Sequence, residues 1–467
     1  MNKKGFTLIE LLAVILIIGL LAALIAPKIT NSLKESEKKT NLTSAQNLVK
    51  TAELKATNNE ITGTTKNTKI NYTTGENISY LDYTGQKPEK GQLNIKSNGK
   101  VAMSVKIGEY CYEKSYISSD IKVTPYNENT CGENSEYLTN YERPDLAISG
   151  DGLYEALGEP DRYVYRGADP ENYIWLDENG DKTKQTSEMY RIISYEPDDT
   201  IKVIRNDRIT KDGANAIKWD EGTARQNTSA GYYCTSSNGC NVWGNQENTY
   251  YNDTTLTSIN QDFYYKYYPS NASTTLENYT NTGIVSQDST LNTYLNETWI
   301  NTLNFKDIII NHSFNVGGIY LTNSYNEKSL QKIKDEEQVY TWNGKIALMT
   351  ISEYQEASLS NTCSLWSNYY NNPNNYHNNE NNQRVNHYGN GEWPCAINNW
   401  NYKSYAQWSL SALSSSTSYV WSVFSSGYFS FSNASNTYGV RPAFYLKSSI
   451  KLRGFGTYDS PYELVES

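Results

Sequence analysis

Histidine, methionine and phenylalanine are scarce in this chain of 467 residues, which contains 3, 4 and 9 of them. The three histidines, His312, His377 and His387, lie in polar, asparagine-rich surroundings with no nucleophile motif beside them. We therefore expect no histidine-dependent catalysis, no enzyme activity and no cofactor. Positive charge is also in deficit, because the formal net charge is −10. A basic surface that binds nucleic acid is accordingly not expected.

One apolar run stands out against this polar background. The chain begins MNKKGFTLIE and continues LLAVILIIGLLAALIA up to Pro27. The segment from Phe6 to Ala26 is long enough to cross a bilayer, which takes about 20 residues of helix. No small-residue cleavage site follows the run, so it differs from an ordinary secretory signal. Lys3 and Lys4 predict a cytoplasmic N-terminus, with everything after Pro27 outside the cytoplasmic membrane.

These residues resemble the N-terminal signal of type IV pilins and pseudopilins. In that family prepilin peptidase cuts after a glycine, here between Gly5 and Phe6, and the new N-terminus is usually methylated. The resemblance implies that Glu10 acts in subunit assembly and that Pro27 marks where the helix leaves the membrane. A carboxylate in hydrocarbon needs a partner, and the amino group of Phe6 in a neighbouring subunit would supply one. The alternative is an uncleaved signal anchor in which Glu10 is incidental.

Periodicity predicts the organisation of the segment that follows. An apolar stripe with charges opposite extends the helix to about residue 58. Alternating residues from Gly91 to Thr124, punctuated by Asn98-Gly99, predict a small antiparallel sheet packed on that helix. We therefore expect a leader at 1–5, a pilin helix and small β domain at 6–135 with a transmembrane part at 6–26, and a second domain at 141–467.

Sequence patterns also predict secondary structure in the second domain. Tyr190–Tyr195 and Thr200–Arg205 predict a strand pair, and Leu291–Leu303 has helical spacing. Tyr340–Ala357 predicts a strand followed by a short helix.

Stretches of this domain resemble a domain found on secreted and pilin-like proteins of Gram-positive gut bacteria. The residues that carry the resemblance include MYRIISYE, WNGKIALMTISEY and GVRPAFYL. The resemblance implies a C-type-lectin-like fold, in which the segment before the final core strand carries the ligand surface. The predicted class is α+β: a long pilin helix with a small antiparallel sheet, then a large mixed α/β C-type-lectin-like domain.

The six cysteines fall into local pairs without CxxC spacing. An even number of cysteines outside the membrane favours disulfides over a zinc site, although several connectivities are possible. Our preferred pairs are Cys111 with Cys131, Cys234 with Cys240, and Cys363 with Cys395. No metal site is expected: the DENGD segment at 177–181 lacks the spacing of an EF-hand and is better interpreted as a polar turn.

The segment from Asn361 to Tyr438 is poor in charge and rich in rigid aromatic rings among Ser, Asn and Gly, a composition typical of adaptable recognition surfaces. The candidate ligand-binding residues are Tyr369, Tyr370, Trp393, Trp400, Trp408, Tyr419, Trp421 and Tyr428. The alternative is that several of them, Trp408 and Trp421 above all, are core residues. Arg441, beside Pro442, is interpreted as a buried structural arginine.

These patterns favour a minor or tip subunit of a type IV pilin-like filament that displays an adhesin domain. Its expected partners are other pilin subunits, prepilin peptidase, the cytoplasmic membrane before assembly, and an extracellular glycan or protein. The final location is the cell surface. The alternatives are a pseudopilin of a type II-like secretion or DNA-uptake machine, whose second domain would be a scaffold, and a pilus-displayed enzyme.

Overall fold

The computed structural model describes residues 8–62, 66–140, 143–221, 238–244, 288–319, 327–360, 365–366, 376–378, 384–386, 395–396, 398–413, 418–427 and 429–465. The chain forms two compact units. Unit 1 comprises Met1–Tyr141, Arg453–Phe455 and Val465–Ser467, and unit 2 comprises Glu142–Leu452 and Gly456–Leu464.

Unit 1 is organised around one long helix, α1, which spans Leu8–Ile61. Its first half consists almost entirely of apolar residues, and its second half is amphipathic. The buried side chains of the second half recur on one face, as helical periodicity requires. They are Ala45, Leu48, Val49, Ala52 and Ala56. The sequence prediction of a helix that continues past Pro27 is confirmed.

A five-stranded antiparallel sheet packs against this face of α1, with its strands in chain order. The strands are β1 (Thr68–Asn71), β2 (Lys90–Ile95), β3 (Val101–Ile107), β4 (Tyr110–Lys114) and β5 (Lys122–Pro125), and a short strand, β6 (Thr139–Asn140), follows.

The predicted turn at Asn98-Gly99 joins β2 to β3, where Gly99 has a φ of +84°. The core shared with α1 includes Leu93, Met103, Val105 and Tyr112. The predicted small sheet on the helix is therefore confirmed.

Unit 2 contains many short strands and a few short helices. The strands are β7 (Gly152–Ala156), β8 (Glu159–Arg166), β9 (Tyr173–Trp175), β10 (Met189–Tyr195), β11 (Ile201–Arg205), β12 (Ile217–Lys218), β13 (Ile309–Ile310), β14 (His312–Asn315), β15 (Glu327–Lys328), β16 (Thr341–Gly344), β17 (Ile346–Ala347), β18 (Leu365–Trp366), β19 (Tyr376–Asn378), β20 (Arg384–Asn386), β21 (Gln407–Ala412), β22 (Tyr419–Val423), β23 (Phe429–Asn433), β24 (Thr437–Tyr438), β25 (Ala443–Leu446), β26 (Leu452–Arg453) and β27 (Glu463–Leu464).

The helices of unit 2 are short. α2 (Thr290–Thr293) continues as a π-helical turn at Tyr294–Thr298 and a 3₁₀ turn at Trp299–Thr302, and two further helices are α3 (Leu330–Glu337) and α4 (Ile351–Glu356). The continuous helical segment from 290 to 302 agrees with the predicted helix. The strand-then-helix order predicted for 340–357 is found in β16, β17 and α4.

An eight-stranded sheet forms the centre of unit 2, in the order β13-β25-β11-β10-β8-β7, with β17 beside β25 and β9 beside β10. The predicted strand pair is β10 and β11, which run antiparallel with Tyr190 opposite Arg205. Strand β25, from the GVRPAFYL segment, pairs with β11 and is buried throughout. The long helix followed by largely antiparallel sheets fits the predicted α+β class.

Candidate functional site

The N-terminal half of α1 turns its apolar side chains outward rather than into the core of unit 1. Leu8 and Ile9 are each 80% exposed. A helix that is hydrophobic all round belongs in lipid or against other apolar helices, and this one is long and apolar enough to cross a membrane. The remaining large exposed side chains are Leu11, Leu12, Val14, Ile15, Leu16, Ile17, Ile18, Leu20, Leu21, Ile25 and Ile29.

Glu10 lies inside this apolar surface, and the helix continues past Pro27 to Ile61. Proline lacks the N–H group that a helix interior uses, so the helix loses one hydrogen bond there without ending. Gly5 and Phe6, the predicted processing site, lie outside the described residues.

Unit 1 is closed by a disulfide between Cys111 and Cys131, which confirms the first predicted pair. Cys111 lies in β4, and Cys131 lies in the loop that follows β5. Cys240 and Cys395 are also disulfide-bonded. Cys234 and Cys363 lie outside the described residues, so the two remaining pairings stay predictions.

Unit 2 contains a buried network of ion pairs centred on Arg162. The guanidinium of Arg162 lies 3.2 Å from both Glu196 and Glu356. Its own strand supplies Glu159, at 2.8 Å. Burial by itself lowers the pKa of Arg162, but these carboxylates more than offset that effect and raise the pKa well above its ordinary value.

Two lysines complete the network. Lys334 Nζ lies 2.7 Å from both Glu159 Oε2 and Glu356 Oε1, and Lys202 pairs with Glu353. Glu353 also accepts a hydrogen bond from the Thr350 backbone N–H, which caps α4. The sequence signal for this network is Lys202 in β11, which lies between the apolar, buried residues Ile201 and Val203. A charge in such a strand requires a buried partner.

The structure corrects the sequence interpretation of three candidate ligand-binding residues. Trp400, Trp408 and Trp421 are only 4%, 1% and 2% exposed. The indole of Trp400 donates to Tyr165 O at 2.8 Å, and that of Trp408 donates to Ile217 O at 2.9 Å. The large apolar faces of these rings fill the core, so the alternative interpretation is the correct one for Trp408 and Trp421, and the assignment of Trp400 to an exposed surface is wrong.

Of the other aromatic candidates, Tyr419 lies within the described residues. Tyr419 is half-buried, with its ring centre 5.2 Å from that of Phe431. Tyr369, Tyr370, Trp393 and Tyr428 lie outside the described residues. Their predicted role in ligand binding stays a prediction.

The acidic DENGD segment forms a turn stabilised by its own carboxylate. Asp177 accepts hydrogen bonds from the backbone N–H groups of Gly180 and Lys182 at 2.7 and 3.0 Å. Gly180 has a φ of +79°, which suits a turn. Within the described parts of the chain, no group of three or more His, Cys, Asp or Glu side chains is placed to hold a metal ion.

In a comparison with known families, the prokaryotic N-terminal methylation motif matches residues 1–26. No curated protein matches the chain, and no solved structure matches it either. The match covers the leader and the apolar start of α1. Together with the long apolar helix, it supports a type IV pilin-like protein that is processed by prepilin peptidase and assembles with other pilin subunits. Anchoring in a membrane before assembly is consistent with both observations.

Proposed function

We propose that this chain is a minor or tip subunit of a type IV pilin-like filament, and that unit 2 is an adhesin domain displayed outside the cell. In this proposal prepilin peptidase removes residues 1–5. The subunit then leaves the membrane and enters the filament through the apolar half of α1. Unit 2, with a C-type-lectin-like fold as the resemblance implies, binds a glycan or protein on another surface.

The observation that carries the assembly role is the division of α1 into two halves. The half after residue 40 buries its apolar face against the sheet of its own unit, whereas the half before Pro27 exposes apolar side chains on every face. Apolar area of this extent is satisfied by lipid before assembly and by other copies of such helices afterwards. One helix thus serves both the fold of unit 1 and the filament.

Unit 1 has its own hydrophobic core, which supports the proposal that unit 2 is a displayed domain. The helix, the five-stranded sheet and the Cys111–Cys131 disulfide give unit 1 its own core. Unit 2 has a separate core and accounts for most of the chain. So large a domain on every subunit would crowd a repeating filament shaft, which favours a minor or tip position.

Cleavage after Gly5 creates a positive amino group on Phe6, four residues before Glu10. A carboxylate in an apolar environment is stabilised by such a partner. We propose that Glu10 pairs with the Phe6 amino group of the neighbouring subunit and so sets the register of assembly.

The assembly role is tested with Glu10→Leu in the native host, beside Glu35→Leu as a control on the exposed, polar part of α1. N-terminal sequencing of the membrane form should show a Phe6 start in both variants. Only Glu35→Leu should reach the sheared surface fraction at the wild-type level. A Met1 start in mature wild-type protein, or normal surface assembly of Glu10→Leu, would contradict the proposal.

The adhesin role needs a separate test. Cells displaying the full chain are screened on glycan and host-protein arrays beside cells displaying Tyr369→Ala/Tyr370→Ala/Trp393→Ala. The control is Tyr458→Ala, which removes an exposed tyrosine elsewhere in unit 2. We expect the triple variant alone to lose capture at equal surface amounts. Absence of capture by wild-type cells would instead favour a pseudopilin with a scaffold domain.

A further inference from the structure

Three cationic side chains of unit 2 converge beside the segment from 399 to 407. Arg191 lies on β10, Lys403 in the loop before β21, and Arg441 two residues before the start of β25. Arg191 lies 5.1 Å from the ring centre of Trp400, and Arg441 donates to Asn401. Among the described residues, their hydrogen bonds go to other partners than those of the ion-pair network around Arg162.

Arg441 is a buried cation held by neutral groups. Only 2% of the residue is exposed. Its Nε donates to Arg205 O at 2.9 Å, and its Nη1 donates to Asn401 O and Gln407 Oε1, each at 3.1 Å. Its Nη2 is buried and has no hydrogen-bond partner in the described part of the chain. A buried charged N–H group that lacks an acceptor costs free energy unless another group accepts its hydrogen bond.

Lys403 is half-buried, whereas Arg191 and Arg441 are each only 2% exposed. Its Nζ donates to Asn206 Oδ1 at 3.0 Å, which uses one of its three donors. Burial, followed by the positive charges of Arg441 and Arg191, lowers the pKa of Lys403 to about 6, although the carboxylate of Asp207 acts in the opposite direction. The hydrogen bonds show the same proximity: Lys403 binds Asn206, and Arg441 binds the carbonyl oxygen of Arg205, the residue before it.

Arg191 is the third member. Its guanidinium stacks 3.6 Å from the ring centre of Tyr173, and its Nη2 lies 3.4 Å from Asp169 Oδ1. Burial lowers the pKa of Arg191 to about 10. The Asp169 side chain is 67% exposed, so it compensates this buried charge weakly.

Asp207, the carboxylate whose charge acts on both Lys403 and Arg441, is already engaged. Asp207 Oδ1 accepts from the hydroxyl of Tyr405 at 2.8 Å and from the Arg208 backbone N–H at 2.7 Å. Asp207 is exposed, at the rim of the cluster. The cluster therefore combines buried positive charge, an unused buried donor and a half-exposed lysine, a combination that suits an anion.

We propose that this cluster binds an oxyanion, the carboxylate or sulfate group of an acidic ligand, through Lys403 Nζ and Arg441 Nη2. Arg191 adds long-range attraction, and the hydrogen-bonded pair of Tyr405 and Asp207 lies beside Arg441. This inference rests on the proposed binding role of unit 2 and specifies an acidic ligand for it. Its own test measures anion binding directly, so it can fail while the adhesin role stands.

The experiment uses the full chain in detergent micelles, with sodium sulfate and sodium glucuronate as probes and glucose as the uncharged control. Binding is measured by calorimetry at pH 5, below the pKa of Lys403, and at constant ionic strength in sodium chloride. We expect sulfate, glucuronate or both to bind and glucose not to bind. The arm that binds more tightly identifies the preferred group. Absence of binding by both anions would overturn the inference, even if the array screen shows capture of a neutral ligand.

Variants distinguish specific binding at this cluster from adventitious binding of an ion elsewhere. Lys403→Met should weaken anion binding at least about tenfold, because it removes a charge-assisted hydrogen bond. Lys403→Arg should retain binding. Lys184→Met, which removes an exposed lysine elsewhere in unit 2, should leave binding unchanged. Equal binding by Lys403→Met and wild type would contradict the proposal.

A second variant leaves Lys403 in place and is expected to strengthen anion binding rather than weaken it. Asp207→Asn removes a competing negative charge but keeps an acceptor for Tyr405 and Arg208. It should tighten anion binding by about threefold or more. Unchanged or weaker binding by a folded Asp207→Asn protein would count against the site.

Discussion

Arg162 Nη1 lies 3.2 Å from Glu356 Oε2, although 194 positions separate the two residues. The contact joins strand β8 to helix α4 in the interior of unit 2. Glu356 also pairs with Lys334 of α3. One buried carboxylate thus connects a strand and two helices, so the network specifies how these elements pack.

Arg162→Met should destabilise unit 2 by about 3–5 kcal/mol, since the carboxylates around it would stay buried without their main partner. Urea unfolding followed by tryptophan fluorescence measures this loss. All 10 tryptophans of the chain lie after residue 141, so the signal reports unit 2.

The matched control for Arg162→Met is Lys184→Met, which breaks the half-exposed pair with Glu463. Its effect should be about 0–1 kcal/mol, because solvent screens exposed pairs. Similar losses in the two variants would show that the Arg162 network is not a special determinant of stability.

Glu337→Gln should alter how the stability of unit 2 depends on pH. Burial raises the pKa of Glu337 from 4.5 to about 7, despite hydrogen bonds donated by Ser352 and Ser411. Between these values the folded state binds more protons than the unfolded state, so this group lowers stability as pH rises from about 4.5 to 7. The Gln variant lacks this decline. The free energy of unfolding, measured at several pH values, tests the difference.

Asp335→Asn, an exposed neighbour on α3, provides the control for Glu337→Gln. It should follow the wild-type pH profile. If wild type and Glu337→Gln show parallel profiles from pH 4.5 to 7, the carboxyl group does not titrate as proposed.

Replacing both Cys111 and Cys131 by serine should destabilise unit 1 by about 3 kcal/mol. The disulfide closes a loop with a sequence separation of 20, and the loss of a cross-link of this span increases the entropy of the unfolded chain. Hydrogen exchange of the amides in β3 and β4 measures the effect. Unfolding of unit 2, followed by tryptophan fluorescence, should be unchanged. Wild-type protection in β3 and β4 would refute a stabilising role.

Gly91→Ala should weaken the sheet of unit 1 by about 2 kcal/mol more than Gly75→Ala. Both glycines have a positive φ, +107° and +83°. A Cβ at Gly91 would lie 2.3 Å from Ser104 O, whereas one at Gly75 meets nothing within 4 Å. Hydrogen exchange in β2 and β3 compares the two variants. Equal effects would mean that backbone conformation, rather than the clash with β3, sets the cost.

Local patterns were sufficient to predict several elements. The apolar run and the stripe after it predicted α1, the Asn98-Gly99 pair predicted the turn between β2 and β3, and the apolar segments around Pro197 predicted β10 and β11. Each of these signals extends over a few neighbouring residues. Periodicity and turn chemistry act at that range, so the prediction needed no knowledge of the rest of the fold.

The aromatic residues show where such patterns fail. Trp400, Trp408 and Trp421 occur in a segment of Ser, Asn and Tyr that has the composition of a recognition surface. Trp408 and Trp421 lie in β21 and β22, and Trp400 precedes these strands. The burial of all three depends on distant parts of unit 2, such as Tyr165 and Ile217. Composition does not distinguish an indole in a core from one on a surface, because the same apolar ring serves both.

The sequence by itself determined the features of the N-terminal segment, which are the methylation motif, the apolar helix and the carboxylate at Glu10. These features are contiguous in the chain, so they can be recognised without knowledge of the fold. Only the tertiary structure decided that Arg162 meets Glu356 and that Arg441, Lys403 and Arg191 share one region. These side chains come from segments far apart in the chain. Electrostatic interactions depend on distance and burial, and those two quantities exist only once the chain has folded.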